Sequence, residues 1–250
     1  MFGYHGRYLR IDLSSGAVDW QPLPEHVLRR FIGGVGLGTY LMQRECRARV
    51  DPVAPEAPLI FCLSPLVGTP LTTSAKFAIV AKSPLTERLS DALSSSHFAI
   101  AAKKAGCDAI VIKGRAKAPS LLVIDDGRVD VQSARDLWGL QVDEATTRAA
   151  DRLGPRFHSA VIGPAGENLV RYATISHEKR HAGRGGLGAV MGSKNLKLVA
   201  VAGTELMQVA DPAGVVAAAK DLSRRSFGPA TATALSFFAP ITAPRPPRPA

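Results

Sequence analysis

The sequence predicts an α+β fold with two related α/β halves. Short apolar segments of strand length alternate with segments of helical periodicity. In addition, the segment from Phe98 to Gly114 matches the segment from Leu187 to Gly203 in length and in its closing apolar pattern. A chain of 250 residues with 46% hydrophobic content is long enough to bury a sizeable core. We therefore expect one domain over residues 1–205, with halves at about 1–115 and 116–205.

In the first half, alternating polar and apolar residues predict an opening β-hairpin, and a helical pattern follows from Pro24 to Ile32. Glycines at positions 33 to 38 are expected to loosen the chain after that helix. A serine-rich segment ends at Ser96, which is expected to cap a helix through Lys104. The predicted strands of this half are Tyr8–Leu13, Ala17–Trp20, Leu59–Leu63, Phe77–Ala81 and Ala109–Ile112.

The second half is predicted to begin with another hairpin and to continue with a helix capped by Asp143 that ends at Leu153. Its predicted strands are Leu121–Ile124, Val129–Val131, a strand beginning at Ala160 and an aromatic-led strand beginning at Tyr172. Residues 206–228 contain a last helix, near Asp211 to Arg225. Residues 229–250 are rich in proline and alanine and lack an amphipathic period, so we expect a disordered tail there.

Charge and cysteine content limit the possible partners. The formal net charge of +10 favours anionic partners, without choosing among phosphates, nucleic acid and acidic proteins. The three cysteines form no C-x-x-C pair, which argues against a zinc knuckle or an iron–sulfur loop. The N-terminus lacks the apolar core of a signal peptide, and no apolar run approaches the roughly 20 residues that span a bilayer. We therefore expect a cytoplasmic protein that does not cross a membrane.

The densest functional signal is the glycine- and arginine-rich loop from Arg180 to Gly188. Its glycines allow backbone N–H groups to approach an anion closely, and Arg180 and Arg184 offer guanidinium groups that bind phosphate through paired hydrogen bonds. The positive end of a following helix is expected to add to this attraction. The loop is therefore predicted to bind a phosphate-bearing cofactor.

Two other interpretations of this loop stay open. Gly183, Gly185 and Gly188 have the spacing of the dinucleotide-binding fingerprint, but that motif requires an apolar strand before it and a carboxylate about 20 residues later. The residues from His177 to His181 are polar, and no well-placed aspartate follows. The second interpretation is a tight glycine turn whose arginines are only solvated.

The remaining signals are weaker. The turn from Gly163 to Asn168 and the hydroxyl- and lysine-rich segments from Thr72 to Thr86 carry little weight alone. No histidine has a cysteine or carboxylate at metal-ligand spacing and no nucleophile elbow is visible, so the sequence supports neither a metal held by its own side chains nor hydrolase chemistry. His97 and His181 are candidates to line the site, whereas the other histidines are expected to be structural or on the surface: His5, His26, His158 and His177.

Over roughly residues 3 to 228, the chain resembles the N-terminal domain of the tungsten-dependent aldehyde ferredoxin oxidoreductase family. The longest matching segments are Gly163 to Val170 and Ala182 to Lys197, and shorter ones include Lys82 to Thr86, Lys104 to Asp108 and Leu137 to Gly139. The resemblance implies two similar subdomains whose two sheets form a saddle-like base for a tungsten or molybdenum ion held by two pterins. It also implies that aldehyde and water become carboxylate at the metal, and that electrons leave through a [4Fe-4S] cluster to ferredoxin.

The resemblance places the pterin contacts at Lys76, Leu93, Ser95, Arg180, His181, Gly183, Arg184 and Gly185. The family usually has arginine at the position of Lys76, and an asparagine followed by a glycine pair at the positions from Leu93 to Ser96. Lysine keeps the positive charge but loses the planar fork of arginine, and a leucine side chain forms no hydrogen bonds. We therefore expect the first half to bind its pterin more weakly than the second half does.

In that family, the cysteines of the cluster and the acid–base residues lie in later helical domains. The resemblance thus implies that missing C-terminal domains, reached through the helix in residues 206–228, or a companion subunit complete the enzyme, and that the chain is inactive alone. The other interpretation is a non-catalytic module that keeps the fold and binds a different anionic ligand or a partner protein. Nucleic acid is not expected as a partner, because no aromatic platform is interleaved with the basic residues.

Overall fold

The structure is a computed structural model that describes residues 1–226. It contains two compact units, of which the first comprises residues 1–68 and 75–210. The second comprises residues 69–74 and the segment from Asp211 onward, in which helix α7 spans Pro212–Ser226. The predicted tail at 229–250 lies outside the described residues. Every strand described below belongs to the first unit.

The first sheet takes its strands from residues 7 to 113. They are β1 (Arg7–Asp12), β2 (Val18–Pro22), β3 (Leu59–Leu63), β4 (Lys76–Lys82), β5 (Leu89–Ser95) and β6 (Ala109–Lys113). Their order in the sheet is β2-β1-β6-β3-β4-β5. β1 and β6 are parallel, and the other neighbours are antiparallel. The opening hairpin is confirmed, whereas the serine-rich segment, which we did not predict as a strand, forms β5.

The second sheet takes its strands from residues 120 to 202. They are β7 (Ser120–Asp125), β8 (Arg128–Ser133), β9 (His158–Val161), β10 (Ile175–His177), β11 (Arg180–Ala182) and β12 (Leu196–Ala202). Their order is β11-β10-β9-β12-β7-β8, and β7 and β12 are the parallel pair. The prediction of a strand at Tyr172 is wrong, because Tyr172 is 70% exposed and precedes β10 in a turn.

The two sheets have the same topology. The second sheet, written from its hairpin end, has the order β8-β7-β12-β9-β10-β11. This is the order of the first sheet, β2-β1-β6-β3-β4-β5, with six added to each strand number. The matching segments found in the sequence both fold as a helix followed by a central strand that is parallel to the first strand of its half. The predicted α+β fold of two similar subdomains is therefore confirmed.

Six helices accompany the sheets of the first unit: α1 (Glu25–Phe31), α2 (Gly34–Glu45), α3 (His97–Lys104), α4 (Val142–Leu153), α5 (Pro164–Glu167) and α6 (Leu187–Gly192). Ser96 caps α3 as predicted, since its Oγ accepts a hydrogen bond from the N–H of Phe98 at 3.2 Å. Asp143 does not cap α4. It lies in the first turn of α4, and the capping position is held by Gln141, whose side chain makes no capping bond.

Helix α2 corrects the expectation that the glycines after residue 32 leave the chain loose. A methyl group added at Gly38 would contact the Val80 side chain at 2.5 Å, so the missing side chain lets α2 pack closely on the first sheet. Leu37 and Leu41 of this helix are fully buried. Tertiary packing therefore outweighs the low helix propensity of glycine here.

The main core lies where α3 and α6 pack against apolar faces of the two sheets. Phe61, Phe77 and Phe98 form its aromatic centre, with the Phe98 ring 5.5 Å from Phe61 and 5.2 Å from Phe77 between centroids. Burying one such side chain contributes about 1.5–3 kcal/mol, so this cluster holds α3 firmly against the first sheet. Smaller clusters cover the other faces, under α1 and α2 on the first sheet and under α4 on the second.

Candidate cofactor site

The edge strands β5 and β11 bring the two halves together at the predicted site. Arg180 of β11 donates a hydrogen bond from Nη1 to the Ser95 Oγ of β5 at 3.0 Å. One residue earlier, Ser94 Oγ lies 2.5 Å from the Nε2 atom of His177. In the first sheet, Ser95 is also the register partner of Lys76. The serine-rich segment and the basic loop, 85 residues apart in sequence, are therefore in direct contact.

A cavity of about 260 Å³ opens at this junction. Its walls are Asp91, Ala92 and Leu93 from β5 and the loop residues Gly183 and Arg184. Leu93 is 61% exposed, although it lies in a strand, so an apolar side chain is presented to any ligand there. The cavity thus joins Leu93 of the first half to Gly183 and Arg184 of the second half.

The other predicted contacts lie around this cavity without lining it. His181 has its Nδ1 atom 2.8 Å from Ser176 Oγ across the β10–β11 hairpin. Lys76 is exposed at the start of β4. Within residues 1–226, neither Lys76 nor Arg184 forms an ion pair with a carboxylate. Both cations are therefore available to an anionic group.

The glycines of the loop divide into two kinds. Gly185 and Gly186 have φ of +75° and +70°, and a methyl group at either would overlap a neighbour, which is Ser90 for Gly185 and the Arg171 carbonyl for Gly186. Gly183 is exposed, and the nearest atom to an added methyl group is Thr174 Cγ2 at an ordinary 3.6 Å. Packing thus requires Gly185 and Gly186, whereas Gly183 alone leaves backbone open to a ligand.

The helix after the loop does not have the role that the sequence predicted for it. Helix α6 has six residues, all buried, and the N–H of Gly188 in its first turn already donates to the Ala173 carbonyl at 2.9 Å. Its N-terminus is therefore not offered to an anion, because protein groups occupy it. The dinucleotide fingerprint is also set aside, since β11 is a three-residue edge strand with Arg180 and His181 exposed rather than a buried apolar strand.

The turn from Gly163 to Asn168 has a structural role. It forms α5, which packs so closely on α6 that a methyl group at Gly192 would overlap the Gly166 carbonyl. Glu167 forms a buried ion pair with Lys197 and accepts a hydrogen bond from the Gly139 N–H at 2.8 Å. This motif therefore packs against α6, the helix that follows the basic loop.

Burial sets the charge states near the site. Burial lowers the pKa of His177 to about 4 and outweighs the Glu178 carboxylate, which raises that pKa, while the smaller effects of His181 and Arg180 lower it further. His177 is therefore neutral at pH 7, and the positive charge facing the cavity comes from the guanidinium groups. Cys62 and Cys107 are fully buried, and burial raises the pKa of both thiols, to about 12 for Cys107, as expected for small core residues.

Sequence spacing missed one grouping in this region. His97, at the start of α3, lies beside His158 and Glu178, which come from β9 and from the β10–β11 turn. These residues are 20 to 81 positions apart along the chain, so no local motif joins them. The three residues come together only because the two halves pack against each other in the folded chain.

Comparison with known proteins defines the family. Residues 8–203 match the profile of the aldehyde ferredoxin oxidoreductase, N-terminal domain. The chain belongs to this family. It is 41% identical over 213 residues to the tungsten-containing aldehyde ferredoxin oxidoreductase of Pyrococcus furiosus, a match that covers 84% of this chain and 35% of that protein. The enzyme of the same name from Thermococcus kodakarensis is also 41% identical over 213 residues, with the same coverage.

Other similar proteins have names that refer to different substrates. An aliphatic sulfonate oxidoreductase, WOR-like subunit, of Pyrococcus furiosus is 37% identical over 221 residues, covering 82% of this chain and 35% of that protein. Among solved structures, the active site complex of benzoyl coenzyme A reductase with 1,5-dienoyl-CoA superposes with a TM-score of 0.85 at 32% identity, over 88% of this chain and 34% of that one. The chain therefore spans about a third of the length of these relatives. Between residues 1 and 226, no helix is long and apolar enough to cross a membrane.

Proposed function

We propose that this chain is the pterin-binding portion of a tungsten or molybdenum oxidoreductase of the aldehyde ferredoxin oxidoreductase type. The observation that carries the proposal is the cavity shared by Leu93, Gly183 and Arg184, at a junction where Arg180 already bonds to Ser95. The tungsten-containing relatives at 41% identity support the choice of cofactor.

The residues present fit a phosphate-bearing pterin. Arg184 and Arg180 supply the guanidinium groups for its phosphate, and Gly183 supplies open backbone beside them. Lys76 adds a single positive charge from the first half, and Leu93 supplies an apolar contact in place of a hydrogen bond. Ser95, His181 and Gly185 position these groups: Ser95 holds Arg180, His181 closes the hairpin, and Gly185 seats the loop on Ser90.

When bound, the metal–pterin group would supply two-electron oxidation of an aldehyde and water to a carboxylate. Because the chain covers 35% of its relatives' length, we propose this activity for an assembly that includes the chain, with electrons passing through a [4Fe-4S] cluster to ferredoxin. The cluster ligands and the acid–base residues would come from further domains or a companion subunit. Within that assembly, the role of this chain is to bind and orient the cofactor.

Cofactor content tests the proposal. We would express the full chain, with its companion where one exists, in a host that makes pterin cofactors and is supplied with tungstate and molybdate. Pterin would be quantified by fluorescence after oxidation, and the metals by mass spectrometry. The folded wild type should retain pterin and metal, and Arg184→Ala should lose them at least about tenfold, because a hydrogen bond to a charged group contributes about 1.5–3 kcal/mol.

The matched control is Arg148→Ala, which removes an arginine from the exposed face of α4. It should keep the wild-type cofactor content. Absence of both tungsten and molybdenum from the folded wild-type assembly would contradict the proposal.

The second candidate is a non-catalytic module that binds another anion. The exposed Leu93 favours it, because leucine at this position cannot hydrogen-bond to a pterin. This candidate predicts that a nucleotide or polyphosphate binds to the full chain, that Arg184→Ala abolishes this binding, and that pterin does not compete. Displacement of the nucleotide or polyphosphate by pterin would instead favour the first proposal, the pterin-binding portion of an oxidoreductase.

A further inference from the structure

A group of three potential metal ligands lies at the junction of the two halves. His97 is the first residue of α3 in the first half, His158 begins β9 in the second half, and Glu178 lies in the turn between β10 and β11. Their side chains are 71%, 32% and 32% exposed, respectively. An ion from solution could therefore reach all three.

The three side chains converge on one point. His97 Nδ1 lies 3.0 Å from Glu178 Oε2, and His158 Nδ1 lies 2.7 Å from Glu178 Oε1. The two imidazole rings are stacked, with centroids 5.4 Å apart and an interplanar angle of 22°. The three potential ligand atoms lie within 4.8 Å of one another. Bonds of about 2.0–2.1 Å from a tetrahedral ion would place its ligands about 3.4 Å apart, which small side-chain rotations achieve here.

From this geometry we propose that His97, His158 and Glu178 bind a divalent transition metal ion, with zinc as the best match. Two imidazole nitrogens and one carboxylate oxygen form a zinc ligand set that leaves a fourth position for water. The bound ion would tie α3 of the first half to the β10–β11 turn of the second half. The proposal rests on these three side chains alone and does not depend on pterin binding.

The surroundings of Glu178 restrict the position of its carboxylate. The backbone N–H of His97 also donates to Glu178 Oε2 at 3.0 Å, which fixes one oxygen independently of the imidazoles. Glu178 and Lys179 both have positive φ, of 46° and 62°, in a tight turn that restricts where the carboxylate lies.

Calorimetry with zinc chloride tests the proposal on the untagged full chain after treatment with a chelator. The wild type should bind one zinc ion per chain. His158→Asn and Glu178→Gln should each weaken binding at least about tenfold, since loss of even an outer-shell partner costs 10–100-fold in metal affinity. His26→Asn is the matched control, because His26 is an exposed histidine on α1, away from the group, and this variant should bind as the wild type does.

Cobalt gives a second readout that does not depend on the stability of the variants. Cobalt bound to the wild type should show the intense visible bands of tetrahedral coordination. It should show no thiolate charge-transfer band, which would exclude as a ligand Cys46, a free cysteine that is only partly buried. A wild-type protein that binds neither zinc nor cobalt would overturn the proposal, because the carboxylate would then only accept hydrogen bonds from the two imidazoles. Zinc binding that survives in Glu178→Gln and His158→Asn would overturn it as well.

Discussion

The two halves share one strand order but differ in the side chains at their edges. The edge strand of the first half ends with Leu93 to Ser95, and Ser96 caps α3. The edge strand of the second half begins with Arg180 and leads into the open loop of Gly183 and Arg184. Both edges meet at the same cavity. The comparison indicates that both halves keep the strand order that their cores require, and that the second half contributes most of the basic groups that we propose to bind the cofactor.

The buried ion pairs show the same divergence inside the halves. Asp108 and Lys197 hold equivalent places in the two matching segments, yet one is an acid and the other a base. Asp108 pairs with Lys103 at 2.5 Å, and Lys197 pairs with Glu167. Each half therefore neutralises a buried charge at the same position with a partner of its own.

Removing one partner of either pair should give the largest effect. Glu167→Gln leaves Lys197 buried without a carboxylate, and Asp108→Asn does the same to Lys103. We expect each variant to lose about 3–5 kcal/mol of unfolding free energy, measured by urea denaturation. Glu144→Gln, which breaks an exposed pair with Arg148, should cost at most about 1 kcal/mol. A loss of unfolding free energy in only one of the two variants would contradict the claim that the two buried pairs have equivalent roles.

Substitution in the glycine loop should have the next largest effect on stability. Gly186→Ala forces a methyl group onto the Arg171 carbonyl at a positive φ, so we expect a loss of about 1–3 kcal/mol in the same denaturation experiment. Gly183→Ala should stay within about 0.5 kcal/mol of the wild type but lower the pterin content. Equal destabilisation by both substitutions would show that the loop has no part reserved for a ligand.

Acid should weaken the contact between the halves at His177. Because the pKa of His177 is lowered to about 4 in the folded state from an ordinary 6.5, the unfolded state binds more protons between these values. The unfolding free energy should therefore fall as the pH drops from about 6.5 to about 4, by less than the loss of either buried pair. His177→Asn should flatten this part of the pH profile, and an unchanged profile would contradict the assignment.

Introducing a guanidinium group and an amide side chain beside the cavity in the first half should have the smallest effect, an increase in cofactor retention. Lys76→Arg, combined with Leu93→Asn, adds a planar guanidinium and a hydrogen-bonding side chain beside the cavity. We expect cofactor retention during dialysis to increase by up to about tenfold, with unchanged thermal stability. A decrease would show that the first half is adapted to a different ligand.

Much of the fold was predictable because its signals are local. The central strands are continuous apolar runs, and the match between Phe98–Gly114 and Leu187–Gly203 revealed the repeat. Helix α2 and strand β5 were not predicted because glycine and serine obscure their periodicity. Tertiary contacts stabilise them, including the close packing of Gly38 on Val80 and the pairing of β5 with β4. The basic loop was likewise visible in the sequence. Which of its glycines are required by packing, and which residues gather at His97, depends on contacts between the two halves.

Hydrogen exchange tests the central claim most directly, namely that the edges of both halves enclose one anionic cofactor. Amide exchange would be compared between the cofactor-loaded and cofactor-free full chain, by mass spectrometry with peptide resolution. The account predicts that loading slows exchange both at residues 183–185 and at residues 91–95, with little change at the distant hairpin of β7 and β8. Slowing in only one of the two segments, or in neither, would contradict a shared site.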